Sequence, residues 1–337
     1  MKPFIVLAAF LALVTGCAHI SAGPRADFSR LVNRPSVALA PQVGATVITN
    51  GLALYHFSFS SDADDRVPGI LIEPLNFTGR RPVVITMHGT GGDKEGMIPL
   101  CRKLAERGFI AVAIDGRYHG ERKSGKNDYN DAIVKKYRGG EGHPFYYDTV
   151  FDVMRLVDYL QTRYDVDAHR IGLIGISKGG IETYLTAAMD KRIAVAVPCI
   201  GMQSFEWALE NNDWQGRINT IQNAFDTITK SEGVTKPDSA YVQKFYDRVI
   251  PGIYSEFDGP QCIALIAPRP LLFINSDSDV HTPVAGVQVC VDAAKKIYSA
   301  ENSDDKFSFI IQPSTGHKVL PQSEQAAIDW FVKWLKP

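Results

Sequence analysis

A basic excess is missing: 36 lysines and arginines stand against 37 aspartates and glutamates, for a formal net charge of −1. Neutralising nucleic-acid phosphates requires such an excess, so a nucleic-acid partner is excluded. Long apolar runs are missing as well. The one candidate, Phe4 to Val14, is shorter than the ~20 residues a membrane-spanning helix needs. Cysteine is sparse, five in 337 residues. Cys101, Cys199, Cys262 and Cys290 have spacings that match no metal site and read as buried single thiols. No repeat, low-complexity tract or nucleotide or flavin motif occurs, so neither metal nor cofactor is expected. What is present is ordinary for a globular chain with a sizeable core: 45% hydrophobic and 22% charged residues.

The first residues carry an address. Lys2 precedes the apolar run, which ends in Val14-Thr15-Gly16-Cys17. A charged start, a short apolar core and small residues before a cut describe a signal peptide. This one resembles a bacterial lipoprotein box, which implies cleavage after residue 16 and lipidation of Cys17. A plain secretory signal or an uncleaved apolar start are the alternatives. Acyl chains on Cys17 would tether a body without a transmembrane helix to a membrane surface, outside the cytoplasm. Ala18, standing where an inner-membrane retention signal has aspartate, favours the outer membrane. Residues 17–48, rich in Ser, Pro, Ala and Gly, read as a tether, leaving 49–337 as the folded domain.

Within that domain two early strands, Leu52–Ser60 and Val67–Ile72, are followed by a regular alternation. Apolar β-branched runs occur at 83–86, 109–114, 171–174, 194–197, 271–274 and 307–311. Runs apolar throughout belong to strands buried on both faces, as in a parallel sheet. Between them Met97, Leu100, Cys101 and Leu104, and again Val150, Val153, Met154, Val157 and Leu160, have helical spacing. The expectation is an α/β fold, a doubly wound, mostly parallel sheet. A long aromatic stretch at about 201–262 interrupts it as a helical insertion, or lid, between late strands.

Gly175-Ile176-Ser177-Lys178-Gly179 joins the strand at 171–174 to a helical segment. G-x-S-x-G in that context is a nucleophile elbow, a tight turn that thrusts the serine hydroxyl above the strand ends. Its partners follow in the order acid, then histidine. His317 comes after the last strand and before the last helix. Asp279 follows the strand at 271–274 and is the expected acid, with Asp277 its rival; an acid here would orient the imidazole and stabilise the imidazolium. His281, on the acid's own loop, is assigned a surface or capping role. Upstream, Met87-His88-Gly89-Thr90-Gly91-Gly92 follows another strand, and the amides of Thr90 and Lys178 are the expected oxyanion donors. His88 is expected to brace that loop. Serine, carboxylate and histidine in this order, each at a strand end, point to acyl transfer to water through an acyl-enzyme.

The chain resembles α/β-hydrolases of the acetyl xylan esterase-like and dienelactone hydrolase-like kind. The resemblance runs from about Pro82 to the C-terminus. It rests on H-G-T-G-G-D-K-E (88–95), D-G-R-Y-H-G-E-R (115–122), G-I-S-K-G-G (175–180), A-P-R-P-L-L (267–272) and G-H (316–317). It implies an α/β-hydrolase fold with Ser177, Asp279 and His317 as the triad. Two departures are Ser276, where the family usually has glycine, and a serine where dienelactone hydrolases proper use cysteine.

The expected function is therefore a serine carboxylic ester hydrolase, deacylating (for instance deacetylating) carbohydrate or small esters. Arg117, Tyr118, His119 and Glu121 are candidate polar substrate contacts, with a salt-bridged brace as the alternative. Trp207 and Trp214 are candidate sugar-stacking platforms, with simple core packing as theirs. A serine peptidase of the prolyl oligopeptidase class and a non-catalytic hydrolase-fold binding protein are the competing functions. Fewer than 50 residues between the tether and residue 88 leave no room for the propeller such peptidases carry.

Overall fold

Each apolar run marked by the sequence becomes a strand of one 10-stranded sheet in the computed structural model, which describes residues 23–75, 79–126 and 128–337. The signal segment and Cys17 lie outside the described residues. The strands are β1 (Gln42–Val43), β2 (Val47–Thr49), β3 (Leu52–Ser60), β4 (Arg66–Pro74), β5 (Arg81–Met87), β6 (Ile110–Ile114), β7 (Val166–Ile176), β8 (Ile193–Cys199), β9 (Leu271–Ser276) and β10 (Phe307–Gln312). Their spatial order is β1-β3-β4-β6-β5-β7-β8-β9-β10, with β2 also on β3. From β6 to β10 every pairing is parallel, whereas β1 to β4 join antiparallel.

The helices are α1 (Pro24–Leu31), α2 (Ile98–Glu106), α3 (Asp128–Tyr137), α4 (Tyr147–Thr162), α5 (Lys178–Met189), α6 (Phe205–Glu210), α7 (Gln215–Ile218), α8 (Gln222–Glu232), α9 (Ser239–Val249), α10 (Gly259–Ile266), α11 (Val284–Ala300) and α12 (Pro321–Leu335). Successive strand residues point to opposite faces. Val83 and Ile85 therefore pack with α4 and α5, and Val84 with α2 and α12, giving two apolar layers around the sheet.

The reading of 17–48 as a tether needs correction. Residues 24–31 form a helix, and Phe28 is fully buried with edge-on contacts to Tyr147 and Phe257. Arg25 donates to the carbonyls of Ala188 and Leu265, at the C-terminal ends of α5 and α10, where helix dipoles attract a cation. Eight residues with a single anchoring aromatic are too few for hydrophobic periodicity to reveal. The short strand β1 and the start of β2 also fall in this stretch; their exposed residues carry no burial pattern.

Between β8 and β9 the chain forms α6 to α10. Asp258 ties the two ends of this insertion together. Its carboxylate accepts the Ser204 hydroxyl (2.7 Å) and the amides of Phe205 (2.7 Å) and Gly259 (2.8 Å), capping α6 and α10 at once. Trp214, Phe225, Phe245 and Tyr246 fill the interior of the insertion.

Candidate active site

The strand order changes direction around β5, whose neighbours are β6 on one side and β7 on the other. Open α/β sheets gather their sites outside the strand ends at such a switch point. The loop after β5 carries His88 to Gly92, and the turn after β7 carries Ser177.

Ser177 sits at φ 58°, ψ −114°, a conformation that a residue with a Cβ adopts only under strain. Neighbouring glycines make the turn possible. A Cβ on Gly175 would lie 2.1 Å from the Gly179 carbonyl oxygen, and one on Gly179 would lie 2.5 Å from that of Met87. The Ser177 amide donates to the Cys199 carbonyl of β8 at 2.9 Å, pinning the turn to the sheet.

His317 Nε2 lies 2.7 Å from Ser177 Oγ, and its Nδ1 lies 2.7 Å from Asp279 Oδ2. A carboxylate can only accept, so Nδ1 carries the proton and Nε2 is free to accept from the serine. Asp279 also accepts the Thr282 hydroxyl on Oδ2 (2.7 Å) and the His281 amide on Oδ1 (2.8 Å). Burial pushes its pKa up, but the bonds from His317 and Thr282 outweigh it and hold the carboxyl below the usual aspartate range. Asp277 does different work. It accepts the amides of Ser314 (2.9 Å) and Thr315 (3.3 Å), fastening the loop that presents His317.

The loop at 88–92 abuts the serine: a Cβ on Gly89 would lie 3.4 Å from Ser177 Cβ. His88 donates from Nδ1 to the Gly89 carbonyl (2.8 Å) and accepts the Gly116 amide on Nε2 (3.0 Å). Burial, together with the nearby Lys178 cation, pushes its pKa down to about 4, so the ring stays neutral. With the Gly89 carbonyl turned toward His88, the Thr90 N–H points from the opposite edge of the same planar peptide. Lys178 opens α5, so its N–H has no acceptor within the helix. Its side chain turns inward, where Nζ meets Glu182 Oε1 at 2.5 Å with both groups buried.

The other candidate contacts are placed differently. Arg117 pairs with Asp152 (2.9 Å), Asp62 (2.8 Å) and Asp65 (3.3 Å), and Arg122 with Asp152 (2.7 Å) and Asp65, so the arginines of segment 115–122 are salt-bridged within the fold. Glu121 and Asp115 hold the buried Lys94. Tyr118, at φ 62°, packs partly buried on the core. His119 is buried against the rings of His88 and Tyr129, its pKa pushed down to about 2 chiefly by burial. Trp214 is buried, its indole N–H on Asn212, so it belongs to the core. Trp207 is half-buried beside Gly286 of α11. His281 departs most from expectation: its ring stands edge-on to that of His317, with centroids 4.5 Å apart. Its sequence neighbourhood signals only that it shares the acid's loop.

Residues 71–301 match the family model described as glucuronyl esterase, fungi. The chain belongs to the glucuronyl esterase family. It is thus a carboxylic ester hydrolase of the α/β-hydrolase fold. Among curated relatives, the putative hydrolase YtaP of Bacillus subtilis is 25% identical over 284 residues, covering 80% of this chain and 84% of that protein. A 4-O-methyl-glucuronoyl methylesterase of Hypocrea jecorina is 24% identical over 314 residues, covering 92% and 62%. In fold the chain is similar to an acetyl xylan esterase from Paenibacillus sp. R4 (TM-score 0.68, 20% identity, 92% and 93% covered). It is also similar to a glucuronoyl esterase from Solibacter usitatus (TM-score 0.64, 14% identity, 93% and 92% covered).

Proposed function

We propose that this glucuronyl esterase family member hydrolyses carbohydrate esters through an acyl-enzyme on Ser177. The observation that carries the reading is the relay Ser177 Oγ–His317 Nε2–Asp279, with both contacts at 2.7 Å and the serine on a strained elbow. His317 takes the serine proton as Oγ attacks the ester carbonyl, and Asp279 stabilises the resulting imidazolium. The amides of Thr90 and Lys178 receive the oxyanion; losing one such donor typically costs about 10²–10³ in rate. The alcohol leaves with the proton from His317. Water, activated by the same imidazole, then releases the acid and restores Ser177.

Relatives named as acetyl xylan esterases and glucuronoyl methylesterases support an acylated sugar or a uronoyl ester as substrate. The test is turnover of an acetylated xylo-oligosaccharide, a methyl glucuronate, a short-chain aryl ester and a peptidyl anilide, with Ser177→Ala as control. Ester hydrolysis lost by about 10⁶ in kcat in the variant is expected. Ester turnover surviving in Ser177→Ala would refute the mechanism, and anilide turnover above ester turnover would make the chain a peptidase.

The N-terminal Cys17 supports a second, separate part of the proposal, that the esterase is exported and anchored to a bacterial membrane by lipid. Radiolabelled palmitate should enter the wild-type chain and not Cys17→Ser; equal labelling of both would remove the anchor from the reading.

A further inference from the structure

The helical insertion is wedged directly against the loop that carries Asp279. At Gly216 of α7 a Cβ would come to 1.6 Å of the Val280 carbonyl oxygen, so only glycine allows the approach. His281 Nδ1 donates to the Gly216 carbonyl at 2.5 Å. Arg217 Nη2 donates to the His281 carbonyl at 2.8 Å. With its amide oriented to match, Gln203 donates to that same carbonyl (3.1 Å) and accepts from Arg217 Nε (3.1 Å). Arg217 is buried, and among the described residues it makes no ion pair; besides these acceptors it meets the hydroxyl of buried Tyr146. Tyr146 itself sits at φ 82°. A guanidinium buried without a carboxylate is costly unless its donors are matched, and here polar oxygens match them.

These contacts converge on one residue that touches both halves of the acid–base pair. The His281 amide fixes Asp279 Oδ1 (2.8 Å), and its ring stands edge-on to the His317 ring at 4.5 Å and 79°. The acid loop reaches the surface beside Asp279, where the neighbouring Val280 is 66% exposed. Misplacing a reacting group by about 1 Å can cost ~10² in rate.

We propose that His281 is a positioning residue for the Asp279–His317 pair, locked from the insertion by Gly216 and Arg217, so that the insertion sets the register of the acid. The inference rests on the triad reading above. Its mode of action is geometric: the Nδ1–Gly216 bond fixes the His281 ring and main chain, and these fix Asp279 Oδ1 and the face of His317.

Four variants test it, each checked by circular dichroism and thermal melting, with kcat and KM measured on an aryl ester. His281→Ala should lose about 10- to 100-fold in kcat with KM within about twofold, because alignment fails while the pocket is intact. His281→Asn, whose side-chain N–H can take the place of Nδ1 toward Gly216, should recover most of that loss. His281→Phe, which keeps a ring without the donor, should not. Wild-type kcat in His281→Ala overturns the proposal, and so does a loss that Asn fails to restore. If the alanine variant does not fold, the Asn–Phe pair decides: Phe at or above Asn refutes the lock. Ser177→Ala separates the two levels. If it is inactive while His281→Ala is fully active, only the positioning role falls; if it is active, the triad reading falls first.

Discussion

His317 engages Asp279 and leaves Asp277 aside: its Nδ1 is 2.7 Å from Asp279 Oδ2, while Asp277 accepts the amide of Ser314 at 2.9 Å. The two carboxylates stand two residues apart on one loop, yet one orients the imidazole and the other anchors the segment bearing it. Asp279→Asn should lower kcat by about 10⁴, the scale seen when a triad acid is neutralised. Asp277→Asn should stay within about tenfold. Steady-state kinetics on one aryl ester decide, and equal losses would reject the assignment.

Gly179 keeps the elbow against the loop after β5. A Cβ there would lie 2.5 Å from the Met87 carbonyl oxygen and 2.7 Å from that of His88, forcing the two backbones apart. Gly179→Ala is expected to destabilise by about 1–3 kcal/mol through overpacking. Under the proposed oxyanion assignment it should also lower kcat by at least about 10², since separating the two backbones would move the Lys178 amide away from that of Thr90. Urea unfolding and kcat are the measurements, and an unchanged kcat would place the oxyanion donors elsewhere.

Asp152 is buried between Arg117 and Arg122. Burial alone would raise its pKa, but the two guanidiniums overwhelm that and hold it far below the usual aspartate range. Asp152→Asn removes the fully buried carboxylate that both cations share, leaving them Asp65 and, for Arg117, Asp62, and should cost about 1.5–3 kcal/mol at neutral pH, the scale of a lost hydrogen bond to a charged group. A depressed carboxylate stabilises the fold above its unfolded pKa and loses that contribution as pH falls below about 4. The gap in denaturant midpoint between wild type and variant should therefore narrow on acidification. A constant gap would contradict the linkage.

Asp258 has the opposite sign. Burial pushes its pKa up to about 6 despite four hydrogen bonds donated to it. The folded chain therefore binds this proton more tightly than the unfolded chain, whose aspartates titrate near about 3.9. Its contribution to stability is present below about pH 4 and is lost as pH rises through about 6. Melting curves across that window should show a decline in wild type that is missing from Asp258→Asn. Parallel curves would refute it.

Legibility in the sequence followed locality. The elbow could be read because its strand, turn and helix are contiguous, and the glycines its backbone needs stand beside Ser177. The strands from β5 to β9 could be read because burial on both faces leaves unbroken apolar runs. The docked helix α1 could not, since one phenylalanine in eight residues makes no pattern. Arg117 and Trp214 look like substrate contacts in one dimension; Asp152 lies 35 residues from Arg117, and only folding brings that carboxylate to the guanidinium.

The sequence by itself determined the doubly wound sheet, the esterase chemistry of its family and the order of serine, acid and base, because periodicity and turn residues act over a few neighbours. Tertiary structure alone decided which carboxylate holds His317, that Arg117 and Arg122 share Asp152, and that His281 joins the insertion to the acid loop across the 65 residues separating it from Gly216. Such choices depend on which charges and carbonyls meet in the interior, where an unpaired polar group is costly, and no local pattern records that meeting.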